Sequence, residues 1–256
     1  MSAELKTWDR PHYTEGGGNP FLFYVVFGRV DTSAPFSQSE YRAAGPADGI
    51  EMSVYNAQEH ADVLDGFRSG YLWEAFIASN PNLASEVQEC DECLVVRGTP
   101  SDDTTLNYMR DTVGLLTYML DQGGIAIFDP LMFQWWNPVE WHQQIFEADE
   151  PAPENHVVIL ISEEDDPTLK WFHTRGMRKF GRPDISVPAV PTTMEQGVID
   201  LCNRMIEHQA LGLVVPEGQE VRMDSLPPGG TMHHAGDLED PDFNNVHIKI
   251  TWPEFE

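Results

Sequence analysis

Cations, cysteines and long apolar runs are all scarce in this chain, and each scarcity excludes something. Only 15 Lys and Arg stand against 42 Asp and Glu in 256 residues, a formal charge of −27 with a pI near 4.4. Such a field repels phosphate, so nucleic acid and anionic lipid are not expected as partners. Three cysteines, Cys90, Cys93 and Cys202, are too few for a disulfide framework at this length, which suits a reducing cytoplasm. No apolar run is long enough to span a bilayer, and the opening MSAELKTWDRPHY lacks the apolar segment of a secretory signal. Hydrophobic residues still make up 41% of the chain, enough for a sizeable core and too many for disorder throughout.

The charge is unevenly spread. From Asp111 to Leu169 there are twelve acidic residues and no Lys or Arg. The next thirteen residues then hold five of the fifteen cations, Lys170, Arg175, Arg178, Lys179 and Arg182, joined by His173. Arginine forks take carboxylate or phosphate bidentately, so this segment is a candidate site for a small anion. Alternatively these cations neutralise the protein's own acids, including Glu163 to Asp166 just upstream. The excess of acid also fits adaptation to salt.

Apolar periodicity outlines the elements. Residues 1–20 read as a flexible tail ending in Gly16-Gly17-Gly18, and residues 21–256 as one α+β domain, with a lobe boundary possible in the acidic connection 147–155. Strands are predicted at 21–30, 94–96, 125–128, 156–161, 169–173, 213–215 and 246–252. Helices are predicted over 57–78, over 106–120 after an N-cap region at Ser101-Asp102-Asp103, over 137–146, and from Thr192 with Glu195 completing a capping box. Residues 31–50 and 216–244 read as loop. The order helix, small-residue break, strand recurs at 118–129 and 205–217, which leaves open two pseudo-repeated lobes. A mixed or antiparallel sheet with helices mainly on one side is the expected fold class.

Few motifs carry chemistry. Cys90-Asp-Glu-Cys93 has no second ligand pair for zinc and no helix N-terminus to lower a thiol pKa. His233, His234, Asp237 and His247 have metal-ligand residue types, but the bland reading is a solvated loop, and no metal or cofactor is expected. No nucleophile elbow, phosphate loop or dinucleotide fingerprint occurs, and the glycine run lies before the first strand, a poor place for a phosphate cradle. Trp135, Trp136 and Trp141 crowd near Phe133, where they either anchor a partner or pack the core.

Gly176-Met-x-Lys-Phe-Gly-x-Pro-Asp184, with the helix and the Gly-x-x-Val pattern beyond it, resembles a motif of a family of uncharacterised bacterial proteins classed as a domain of unknown function. The resemblance spans roughly residues 105–252. It implies a bacterial cytosolic α+β domain and brings no activity, cofactor or catalytic residue. Two functions therefore stand as expectations. One is an acidic, non-enzymatic interaction protein, of the inhibitor or immunity type, facing a basic partner. The other is an enzyme or sensor that binds a small anion through Lys170 to Arg182.

Overall fold

The computed structural model describes residues 5–253. The fold is α+β, with a wholly antiparallel sheet and a mixed one. The chain divides into two compact units, and the division falls between Ala152 and Pro153. Unit one holds the described residues up to Asp9 together with 21–101 and 105–152, and unit two holds 10–20, 102–104 and Pro153 onward. No helix among the described residues is long and apolar enough to cross a membrane.

In unit one, β1 (Leu22–Phe27) reads LFYVVF, apolar at every position, and is buried on both sides. A single turn, α1 (Gln38–Tyr41), is capped by Ser37, whose Oγ accepts from the Glu40 N–H. There follow β2 (Ile50–Asn56), α2 (Ala61–Phe67), α3 (Gly70–Ser79), α4 (Pro81–Glu89), β3 (Glu92–Gly98) and α5 (Asn107–Asp121). The unit closes with β4 (Ala126–Asp129), β5 (Gln134–Trp136) and α6 (Pro138–Trp141), which runs on as a π turn to Phe146. Strand order is β2-β3-β1-β4-β5. Val25, Phe27, Cys93, Val95 and Phe128 meet Leu64, Trp73, Phe76, Leu83 and Val87 of α2–α4. On the other face Tyr24 packs edge-on to Trp141, whose indole N–H donates to Thr117 of α5. Helices thus cover both faces, because strands such as β1 have no polar side to leave bare.

The helix expected over 57–78 is two helices: the backbone leaves the helical region at Arg68, is extended at Ser69, and enters the second helix through Gly70 with a left-handed φ of 74°. β2 and α4 had no clear apolar period. β2 is an edge strand with a polar face, and α4 is short and buries only Leu83, Ala84 and Val87.

Unit two contains β6 (Val158–Glu163), β7 (Leu169–Arg175), a 3-10 turn at Met177–Phe180, β8 (Asp184–Pro191), α7 (Glu195–Ala210), β9 (Gln219–Glu220), β10 (Thr231–Ala235) and β11 (His247–Thr251). Strand order is β6-β7-β8-β11-β10-β9, parallel only between β8 and β11. The apolar stripe of α7, with Val198, Leu201, Cys202, Met205 and Ile206, is buried and packs on β7 and β8.

Several expectations for this half need correction. Leu213 to Val215 lie outside any strand, so the helix–Gly–strand order shared with 118–129 holds only there, and the two sheets differ in strand order. The 216–244 loop contains β9 and β10, whose polar outward residues hid the alternation. The Thr192–Glu195 capping box does not form, and a 3-10 turn leads into α7 instead. The helix after Ser101-Asp102-Asp103 starts only at Asn107, behind Leu106, which makes no side-chain cap.

The lead-in is the largest departure. Residues 8–20 are not a flexible tail: Trp8 and Arg10 are buried, Asp9 bridges Thr105, and the Arg10 and His12 N–H groups donate to Thr104 and Leu211. Of the three glycines, Gly17 lies where a side chain would collide with Arg182.

Candidate functional site

The basic segment begins on β7, turns through Met177–Phe180 and enters β8. Its six candidate residues do not converge on one anion site. Lys170 pairs with Glu163 across the β6–β7 hairpin at 3.3 Å. His173 is buried, stacked on Trp171 at 4.0 Å, and burial, with Arg175 near by, pushes its imidazole down to about 4. The Arg175 guanidinium lies over the Phe243 ring at 5.3 Å. Arg178 donates to the Asn244 carbonyl at 2.7 Å. Lys179 and Arg182 are 0% and 2% exposed, and the Arg182 donors are already spent on Asp102 and on the carbonyls of Gly181, Gly212 and Leu213. The six residues thus have separate surroundings and are not gathered at one point, and Arg182 is tied into the interior of unit two.

Arg182 Nη1 donates to Asp102 Oδ1 at 3.2 Å, and the same oxygen accepts from Arg10 Nη1 at 2.5 Å. Arg182 also donates to the carbonyls of Gly181, Gly212 and Leu213, and Arg10 to those of Asp103, Phe180 and Ala210. Four distant stretches of chain meet on two guanidiniums and one carboxylate. The glycine run serves this junction. A Cβ on Gly17 would lie 1.8 Å from Arg182 Nη1, and one on Gly181 would lie 2.0 Å from the Gly18 carbonyl oxygen.

Next to the junction is a buried polar centre. Asp184 accepts from Thr174 Oγ1, the Met177 N–H and Asn245 Nδ2, yet burial raises its carboxyl to about 6. His156 is buried against Phe180, and desolvation, reinforced by Lys179, pushes it down to about 3. The resemblance motif 176–184 therefore coincides with interior polar structure.

The aromatic cluster is core as well. Trp135, Trp136 and Trp141 are 7%, 7% and 1% exposed, so of the two expectations they meet core packing and not the anchoring of a partner. Alternation along β5 sends Trp135 and Trp136 to opposite faces. Trp135 stacks between Phe76 at 4.2 Å and Phe128 at 4.3 Å, while Trp136 packs edge-on to Trp141.

The remaining motifs resolve simply. His233 pairs with Glu217 at 2.7 Å, the His234 ring meets the Val215 carbonyl, and His247 stacks on Phe243. Among the described residues no three His, Cys, Asp or Glu side chains are placed to hold a metal. Cys90 follows the C-terminus of α4 and Cys93 is interior to β3, where burial raises its thiol to about 11. Cys202 is buried in α7 and raised to about 12.

Two of the concavities bear on function. In unit one, Glu59, Asp91 and Glu92 line a recess of about 740 Å³ with Asn56, Gln58 and Arg29. In unit two, a cleft of about 330 Å³ opens beside α7, walled by Leu201, Met205, Leu213, Val215, Met223 and Met232. Leu213 and Val215, expected in a strand, line it instead. Gln209 belongs to its lining, is 0% exposed, and among the described residues hydrogen-bonds through neither its amide nitrogen nor its oxygen. An unpaired buried amide costs about 1–3 kcal/mol, so it calls for a reason. The sequence signal was available: Gln209 follows Val198, Leu201, Cys202 and Met205 in the core stripe, four residues after Met205.

Burial also redistributes the charge. Arg10, Arg110, Lys179 and Arg182, four of the 15 cations, are buried, against Asp111, Asp129 and Asp184 among the 42 acids. No protein family, curated protein or solved structure matches this chain.

Proposed function

We propose that this chain is a non-enzymatic binding protein whose acid-dominated exterior engages a basic partner, as an inhibitor or immunity-type protein does, in a reducing bacterial cytoplasm. The observation that carries the reading is the internal use of cations. The chain holds few and buries over a quarter of them, whereas Asp111, Asp129 and Asp184 are the only buried acids among the described residues. Acidic surface steers a cationic partner and rejects phosphate-bearing ones. The recess at Glu59, Asp91 and Glu92 is where a lysine or arginine of the partner would seat, with only Arg29 opposing it. The separate partners of Lys170, Arg175, Arg178 and Arg182 count against the alternative reading, a small-anion enzyme or sensor.

The test is affinity capture at low salt, followed by binding of the captured partner to a Glu59→Gln, Asp91→Asn, Glu92→Gln triple variant. Three exposed charge pairs together contribute about 1–2 kcal/mol, so the variant is expected to bind roughly tenfold more weakly. Wild-type binding is expected to fall steeply with salt. Capture of no basic protein, or binding indifferent to both salt and the variant, refutes the reading.

A further inference from the structure

We propose that the cleft beside α7 is a small-molecule site, and that it takes a planar heterocycle whose ring presents an N–H beside a C=O, as a lactam or pyrimidine-dione does. The inference is independent of the acidic exterior.

It rests on Gln209 and on what surrounds it. A primary amide offers one acceptor, Oε1, and donors on Nε2, side by side in one plane. The group that satisfies both at once is a cis N–H and C=O edge, which returns one donor and one acceptor. Gln209 sits at 0% exposure in the lining, and neither its Nε2 nor its Oε1 meets a partner among the described residues. The helix gains nothing from a glutamine there, since a methionine of similar shape would fill the same stripe without a polar cost.

The rest of the lining suits such a ligand. A volume of about 330 Å³ lies at the small end of ligand pockets, and its lining joins Leu201, Leu213, Val215, Pro216 and three methionines to Gln209, with Arg204, His208, Gln219, Glu220 and Arg222 also contributing. Met205, Met223 and Met232 share the lining, and unbranched thioethers repack readily, so a flat ring can part them to reach the amide. The segment 213–215 lies outside the sheet, which leaves Leu213 and Val215 to form a wall.

The experiment uses the full chain and two probes, 2-pyridone, which carries the lactam edge, and fluorobenzene, which does not. Binding is followed by ¹H–¹⁵N spectra of side-chain amides and by ligand-observed NMR, in wild type and in Gln209→Met. The wild type is expected to bind 2-pyridone with a shift of the Gln209 side-chain amide pair. Gln209→Met is expected to lose that affinity at least tenfold while binding fluorobenzene as the wild type does. Its midpoint of thermal unfolding is expected to rise by about 2–4 °C, because a buried unpaired amide has been removed. Three results would overturn the proposal. They are no binding of 2-pyridone by the wild type, equal binding of 2-pyridone by both proteins, and a lower unfolding midpoint in Gln209→Met, which would mean trapped water already satisfies the amide.

Discussion

Asp102→Ala tests whether the basic segment is structural. One carboxylate oxygen of Asp102 accepts from Arg10 at 2.5 Å and from Arg182 at 3.2 Å, and the two guanidinium side chains are 0% and 1% exposed. Removing it strands two positive charges in the interior of unit two. Their hydrogen bonds to six backbone carbonyls survive, so the loss is one of charge compensation rather than of donor satisfaction. Breaking a buried pair costs about 3–5 kcal/mol. At about 4 kcal/mol the opening constant of the junction rises roughly a thousandfold. Asp102→Asn keeps an acceptor oxygen but not the charge, and is expected to fall between wild type and Ala. Because a chain of two compact units need not unfold in one step, bulk denaturation alone is a poor readout. Hydrogen exchange read by mass spectrometry places the effect: peptides covering 10–20, 180–182 and 210–214 lose protection while β1 and α5 keep theirs. A variant within about 0.5 kcal/mol of wild type at those peptides, or one that loosens β1 first, refutes the account of the junction.

Other perturbations probe the same interior. Gly17→Ala places a methyl 1.8 Å from Arg182 Nη1 and is expected to destabilise unit two by about 1–3 kcal/mol in the same exchange assay. Trp135→Ala removes a ring stacked on Phe76 and Phe128, and a loss of about 3–5 kcal/mol from unit one, read by urea unfolding, is expected. Asp184 makes a pH signature. Its folded value of about 6 lies above its ordinary 3.8, so the unfolded chain ionises first as pH rises. Its contribution is present below about pH 4 and lost by about pH 6, some 2–3 kcal/mol, and Asp184→Asn should flatten that part of the stability curve. His156 works in the opposite sense. Its folded value of about 3 lies below the ordinary 6.5, so its contribution is present above pH 6.5 and is lost as pH falls toward 3. The difference curve between wild type and His156→Gln should show that slope, and a flat difference would contradict the burial of a neutral imidazole.

Locally encoded features were legible and non-local ones were not. The 3,4 spacing of Leu106, Met109, Val113, Leu116 and Leu120 announces α5, and the structure has it at Asn107–Asp121. The FLFYVVF run announces β1, and Asn137-Pro138 announces a helix start that forms a full capping box with Glu140. By contrast β8 and β10 carry proline, serine and histidine and gain their order from neighbours in the sheet. For the candidate sites, residue type was visible and direction was not. Nothing in the spacing of Lys179 and Arg182 shows that they turn inward, or that Gly17 makes room for one of them.

Composition by itself determined the acidic exterior, the α+β class and the poverty of cysteine, because these are sums or periods carried along the chain. Tertiary structure alone decided where the scarce cations went. Arg10 donates to Ala210, 200 residues away, and meets Arg182 on one oxygen of Asp102. A charge is buried only where a partner and enough carbonyls converge, and convergence at that separation is a property of the packed chain. The same holds for Gln209. The sequence shows a glutamine in a helix, and only packing shows that nothing among the described residues answers it.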